Sequence, residues 1–269
     1  MARNFLALLL VLQFLSIGWT QTVKSDQPVK PVQEEAVASA RHKRMLNLAC
    51  GYAFSEVLGG KEVKLRETPL FSWANPEVRA VGGELYLWTV EGRPFATIGI
   101  WTYDDVKDSH ELQSLSTQVF KAENPHWMKW APRTAGLEFK KLEDAPAPDA
   151  SPVRRQTQMR AFVRERFSGE VLKTESNQTE KLRLISQPLY RYDPMPADLI
   201  DGAVFSLAFG TDPEILVLLE ARKTEGGSEW YYALAPSTSR RSIGFLDGKE
   251  VWTSDDQRKN ETFAPIFNQ

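Results

Sequence analysis

The chain has 269 residues, an apolar fraction of 42% and a net charge of −2, the composition of a folded globular protein large enough to bury its own core. Acidic and basic residues nearly balance, so the broad positive field of a nucleic-acid-binding protein is absent. One cysteine, Cys50, excludes an intramolecular disulfide and a zinc site built on cysteine pairs.

Residues 1–20 read as a secretory signal peptide. Arg3 supplies the positive start, residues 5–17 an apolar run broken by Gln13 and Ser16, and Gly18 and Thr20 the small residues before a cut at Gln21. The run is too short to cross a bilayer; retention as an anchor is the alternative. The expected mature chain is exported, to the periplasm or the extracellular space, after cleavage near Thr20. Residues 21–32 hold prolines and few apolar groups and read as a disordered linker.

Residues 33–58 have helical spacing, with Leu46, Cys50 and Phe54 at i, i+4 and i+8 and Gly59-Gly60 as the stop. On that helix Cys50 is expected to be buried and inert. Arg41-His42-Lys43-Arg44 reads as a solvated turn, with a convertase-like processing site as the sharper alternative.

A β-rich passage then occurs twice. Pro69-Leu70-Phe71-Ser72-Trp73 returns as Pro188-Leu189-Tyr190-Arg191-Tyr192, an offset of 119 from Pro69 to Pro188. The same offset carries Gly83 onto Gly202, Leu85 onto Val204, Tyr86 onto Phe205, Pro94 onto Pro213 and Ile98 onto Val217. In each copy two strand-like runs flank a turn, Glu91-Gly92-Arg93-Pro94 in the first and Gly210-Thr211-Asp212-Pro213 in the second. Leu85 and Leu87 oppose Tyr86, Trp88 and Val90, so both faces are apolar and the hairpin is expected to be covered on both sides. Further strands are expected near residues 137–141 and 249–252, the latter after an Asp247-Gly248 turn. At an offset of 120, His110-Glu111-Leu112 falls on Trp230-Tyr231-Tyr232.

Between the copies, residues 145–150 are loop-like, and Ser151 with Pro152 is a helix start. The helix should run to about Phe167, with Val153, Met159, Phe162 and Val163 on its apolar side. Arg154, Arg155 and Arg160 give it a basic side that could touch a membrane surface, although docked helices commonly solvate such arginines.

No spacing demands a mechanism: there is no nucleophile elbow, His-Glu-x-x-His, phosphate loop or calcium loop. His110 and Glu111, with Asp104, Asp105 and Asp108 just upstream, are the catalytic candidates, a histidine oriented by a carboxylate being a possible general base. The plainer reading is a polar connection between strands. A metal site would need His126 to fold back onto the same pair, and no metal or cofactor is expected. Trp127 and Trp130, in a loop-like stretch, are the candidate ligand-binding residues, against the commoner role of large aromatics in packing. The sequons at Asn177 and Asn260 would carry glycans only in a eukaryotic pathway.

The run Gly83-Glu84-Leu85-Tyr86-Leu87-Trp88-Thr89-Val90-Glu91-Gly92-Arg93-Pro94 resembles a run in uncharacterised exported proteins of planctomycete bacteria. So do Ser109-His110-Glu111-Leu112-Gln113-Ser114-Leu115-Ser116 and residues 187–222. The resemblance implies a bacterial origin and brings no activity or site residue with it.

The expected class is α+β: two related antiparallel β-meander units with an N-terminal helix and a connecting helix, the units forming separate sheets, one shared sheet or a barrel-like core. The expected division is a signal peptide 1–20, a linker 21–32, a helix and first β unit 33–144, a linker and connecting helix 145–180, a second β unit 181–253 and a tail 254–269. The expected function is non-catalytic binding of a ligand or an envelope component, without nucleic acid; the alternative is a hydrolase using His110 with nearby carboxylates.

Overall fold

The computed structural model describes residues 31–76, 79–126, 129–132, 134–172, 178–192, 198–254 and 263–265. The signal segment, Trp127 and the sequon asparagines Asn177 and Asn260 lie outside them.

The first helix, α1 (Pro31–Cys50), stops at Cys50 rather than at residue 58; the Gly51 N–H makes its closing bonds, shared between the carbonyls of Asn47 and Leu48. Phe54 therefore belongs to a strand, β1 (Ala53–Ser55), which is followed by a 3₁₀ turn, Leu58–Gly60. Next come β2 (Val63–Asn75), β3 (Ala80–Val90), β4 (Arg93–Thr102), β5 (Asp108–Ser114), β6 (Lys121–Glu123), β7 (Lys129–Trp130) and β8 (Lys140–Lys141). The second helix, α2 (Pro152–Arg166), starts after Ser151 as expected. It leads into β9 (Phe167–Leu172), β10 (Thr179–Lys181), β11 (Arg183–Tyr192), β12 (Leu199–Phe209), β13 (Asp212–Thr224), β14 (Gly227–Pro236), β15 (Ser242–Leu246), β16 (Lys249–Ser254) and β17 (Phe263–Pro265). Glu91 and Gly92, with φ of 51° and 79°, make the β3–β4 turn in the left-handed conformation that tight hairpins require.

The protein is α+β, with two separate open five-stranded antiparallel sheets, β17-β5-β4-β3-β2 and β11-β12-β13-β14-β8. The duplication extends to hydrogen-bond register. Phe71 faces Leu85 as Tyr190 faces Val204, and Thr89 faces Pro94 as Ala208 faces Pro213. Both edge strands bulge at the same place, between Arg66 and Phe71 and between Ile185 and Tyr190. The repeated Pro-Leu sits inside each bulge, where a residue without an N–H costs no ladder bond.

The last strand of each meander corrects the sequence alignment. Ile100 pairs with His110, and its counterpart Leu219 pairs with Tyr232, so His110 corresponds to Tyr232 and not to Trp230. Residues 103–107 connect β4 to β5, whereas β13 and β14 run on to a tight turn at 225–226, and the offset grows by that difference.

The helices belong to the duplication too, at an offset of 114. Met45 and Ala49 on α1, like Met159 and Val163 on α2, are fully buried against their sheets. Arg41 lies across Gly82 and donates to the Val81 carbonyl, while Arg155 reaches Asp201, the counterpart of Gly82.

Two-sided burial follows from the two-sided apolar pattern. Tyr86, Trp88, Ile98 and Ile100 pack beneath α1. Phe205, Val217 and Leu219 pack beneath α2. Leu85 and Leu87 share a third core with Val204, Leu216 and Leu218, where the two large sheets meet. The layers thus run helix, sheet, sheet, helix, each helix being flanked by a small sheet, β1-β6-β7 or β10-β9-β15-β16.

The boundary expected at residue 144 does not separate two sets of strands. Within the first unit's range, β8 pairs with β14 of the second unit, and within the tail, β17 pairs with β5 of the first. The first unit's range thus adds a strand to the second sheet, and the tail adds one to the first.

Candidate functional site

His110 is fully buried on the α1 side of β5, with its Nε2 2.7 Å from the Tyr52 hydroxyl. Burial pushes its pKa down to about 4, which keeps the ring neutral at pH 7. Glu111, the next residue in the strand, points to the opposite face. Its carboxyl, held near Ser239, Asp212 and Arg240, is pushed up to about 8 by desolvation. The strand therefore parts these two residues instead of bringing them together.

The upstream acids are engaged elsewhere. Asp104 accepts the backbone N–H groups of Val106 and Lys107, Asp105 takes Arg41, and Asp108 takes Arg44. His42 sits 3.1 Å from Glu84, which also accepts the Tyr86 hydroxyl. The basic tetrad of α1 is thus no freely solvated turn: three of its members fasten the helix to the sheet. On α2, Arg155 is buried and bonded to Asp201, so it does not face a surface. Arg160 donates to Gln187, and Arg154 is exposed beside Asp149. Trp130 is 5% exposed and packs edge-on against Phe120 at 5.3 Å. His126 is exposed, far in environment from His110, and no three-ligand metal group exists among the described residues.

The structure presents a different site. Between the end of α1, β1 and the start of β2 lies an open cleft of about 470 Å³, within the range of small-ligand pockets. Tyr52, Phe54, Val63, Leu65 and Trp88 form its floor, and the exposed Cys50, Lys61, Glu62 and Glu67 stand at its mouth. Trp88 meets Phe54 at 5.0 Å and Tyr52 at 6.0 Å, both edge-to-face, which makes the floor rigid. Cys50 is thus not the buried thiol expected of a longer helix. Its helix ends there, and the exposed residue lines the cleft.

Among the described residues, a strand occupies the counterpart position in the second unit. There β10 pairs along β9, the Leu182 N–H donates to the Gly169 carbonyl at 2.8 Å, and the side chains of Leu182, Leu207 and Ile215 close over Gly169. In the first unit, Gly59 and Gly60, with φ of 72° and 63°, divert the chain away from β1 before β2 begins. That Gly-Gly pair was the visible signal, read as a helix stop when it is a detour.

A smaller cavity of about 150 Å³ between the large sheets is lined by Arg93, Phe139, Tyr192 and Glu220. Glu220, fully buried, accepts from Arg93 (2.6 Å), Arg222 (2.7 Å) and the Tyr192 hydroxyl (2.9 Å). Phe139 lies 5.5 Å from one guanidinium and 4.3 Å from the other. With every charge answered from within, this group acts as a clamp between units.

No protein-family model, curated protein or solved structure matches the chain.

Proposed function

We propose that this is an exported, non-catalytic binding or envelope-associated protein whose ligand enters the cleft beside β1. The observation that carries the reading is the difference between the two copies. A duplicated scaffold has kept one position filled with its own strand and left the other open over an aromatic floor. Export rests on residues 1–20; no helix among the described residues is long and apolar enough to cross a membrane. The hydrolase alternative draws no support from a buried, neutral His110 whose upstream acids are bound to arginines and backbone amides.

Cys50 is the sole thiol of the chain, so an environment-sensitive maleimide dye attached there reports cleft occupancy. Fatty acids, oligosaccharides and peptides are titrated against the labelled protein. One class should shift the emission saturably, and Leu65→Arg, which fills the cleft, should abolish the shift. Silence across all classes, together with ester or peptide hydrolysis that His110→Gln removes, would overturn the proposal in favour of an enzyme.

A further inference from the structure

We infer that the occupant of the cleft is an extended polypeptide segment, which pairs with the open edge of β1 and completes the small sheet of the first unit. The inference rests on the binding reading and specifies its partner.

The small sheets are copies of each other. Ala53 pairs with Glu123 and Ser55 with Lys121. At the helix offset of 114 Ala53 and Ser55 fall on Phe167 and Gly169, which pair with Leu246 and Gly244, so β1 corresponds to β9 and, by its place in the sheet, β6 to β15. The second sheet has a fourth strand, β10, on the far side of β9; the first has none beside β1 among the described residues. The cleft lies at that missing position.

In the second unit the filling strand comes from the chain just before β11, and Leu182 continues its pairing to Gly169. The same stretch before β2 is spent on the Leu58–Gly60 turn. An exposed strand edge offers unpaired backbone donors and acceptors, which another extended chain satisfies without matching sequence. Selectivity would come from β2, whose residues Val63, Leu65 and Glu67 point the same way into the cleft. They suit a segment with apolar side chains at alternate positions and a basic residue towards Glu62 and Glu67. A small amphiphile could use the aromatic floor, but it would leave the edge of β1 unpaired.

The probe is a peptide of this chain's own residues 178–185, Gln-Thr-Glu-Lys-Leu-Arg-Leu-Ile, which holds the equivalent place in the second unit. Added at about 1 mM to the full-length protein, it should slow amide exchange at residues 53–55 by about tenfold. It should do so neither when its Lys181 and Leu182 are both replaced by proline nor when Cys50 carries a bulky maleimide. Unchanged exchange at 53–55, or protection that persists in the blocked protein, overturns the inference. If exchange is unchanged while the Cys50 dye answers a fatty acid or an oligosaccharide, the peptide inference falls and the binding reading stands; if neither responds, both fall.

Discussion

The indole of Trp73 covers Gly83 so closely that a Cβ on that glycine would lie 2.4 Å from the ring, and Tyr192 covers Gly202 in the same way at 2.3 Å. Each aromatic sits on an edge strand and shields a residue with no side chain on its neighbour, a device that pins register. Gly83→Ala and Gly202→Ala should each cost about 1–3 kcal/mol through overpacking. Equal losses in chemical denaturation would mark them as equivalent positions, and a neutral Gly83→Ala would show that the indole moves aside freely.

The Glu220 clamp joins β4 of the first unit to β13 of the second. Replacing Glu220 with Gln keeps the shape but leaves the guanidinium groups of Arg93 and Arg222 facing each other without their anion. A loss of about 3 kcal/mol is expected. Because the carboxylate is fully buried, the loss should change little between low and high salt, which denaturant titrations at two ionic strengths would check.

The helix α1 is held by charge as well as by Met45 and Ala49. Arg44→Ala removes the two bonds to Asp108, one of 2.9 Å, and leaves a nearly buried carboxylate behind. With Arg44 itself partly solvated, the cost should be about 1–2 kcal/mol. Loosening the helix uncovers Trp88, so tryptophan emission should shift to the red and trypsin should cut more readily at Arg41 and Lys43. Emission and cleavage unchanged from wild type would mean that apolar packing alone seats the helix.

Stability should fall as pH rises towards 8. Burial raises Glu111 to about 8 and Asp212 to about 7, and lifts Glu214 well above its ordinary value, with Arg240 opposing the shift for all three. The unfolded chain releases these protons near pH 4, as ordinary carboxyls do. The folded state therefore holds more protons in between, and the stability present at low pH is lost as pH rises through 7 and 8. His110 acts in the other direction: its pKa is depressed, so its contribution is present above about pH 6.5 and lost as pH falls towards 4. Three carboxyls outweigh one imidazole, and melting temperature should rise from pH 8 to pH 6.5. Glu111→Gln should flatten that slope; a slope unaltered in the variant would place the titrating groups elsewhere.

Much of the fold was legible because it rests on local chemistry. Pro69-Leu70 and Pro188-Leu189 mark the two edge bulges, Glu91-Gly92 and Asp247-Gly248 make left-handed turns, and Leu85 against Tyr86 announces a sheet covered on both faces. The helical copies were harder to see. Arg41, Met45 and Ala49 line up with Arg155, Met159 and Val163 at an offset that differs from that of the strands, and their shared placement over the sheets shows only in the fold. The site was harder still. Phe54 and Cys50 fit a helix by spacing, and only the pairing of Ala53–Ser55 with β6 shows that the chain has left it.

The amino-acid sequence by itself determined that this protein is a duplicated β meander, because turns, bulges and alternating apolar faces are properties of a few neighbouring residues. Tertiary structure decided the remainder: that β8 and β17 cross between units, that His110 and Glu111 face apart, and that one small sheet has, among the described residues, one strand fewer than its copy. Those outcomes depend on pairing between segments far apart in the chain, where backbone hydrogen bonds carry no side-chain signature. The cleft beside β1 is such an outcome, made by a strand that one copy has and the other spends on a Gly-Gly turn.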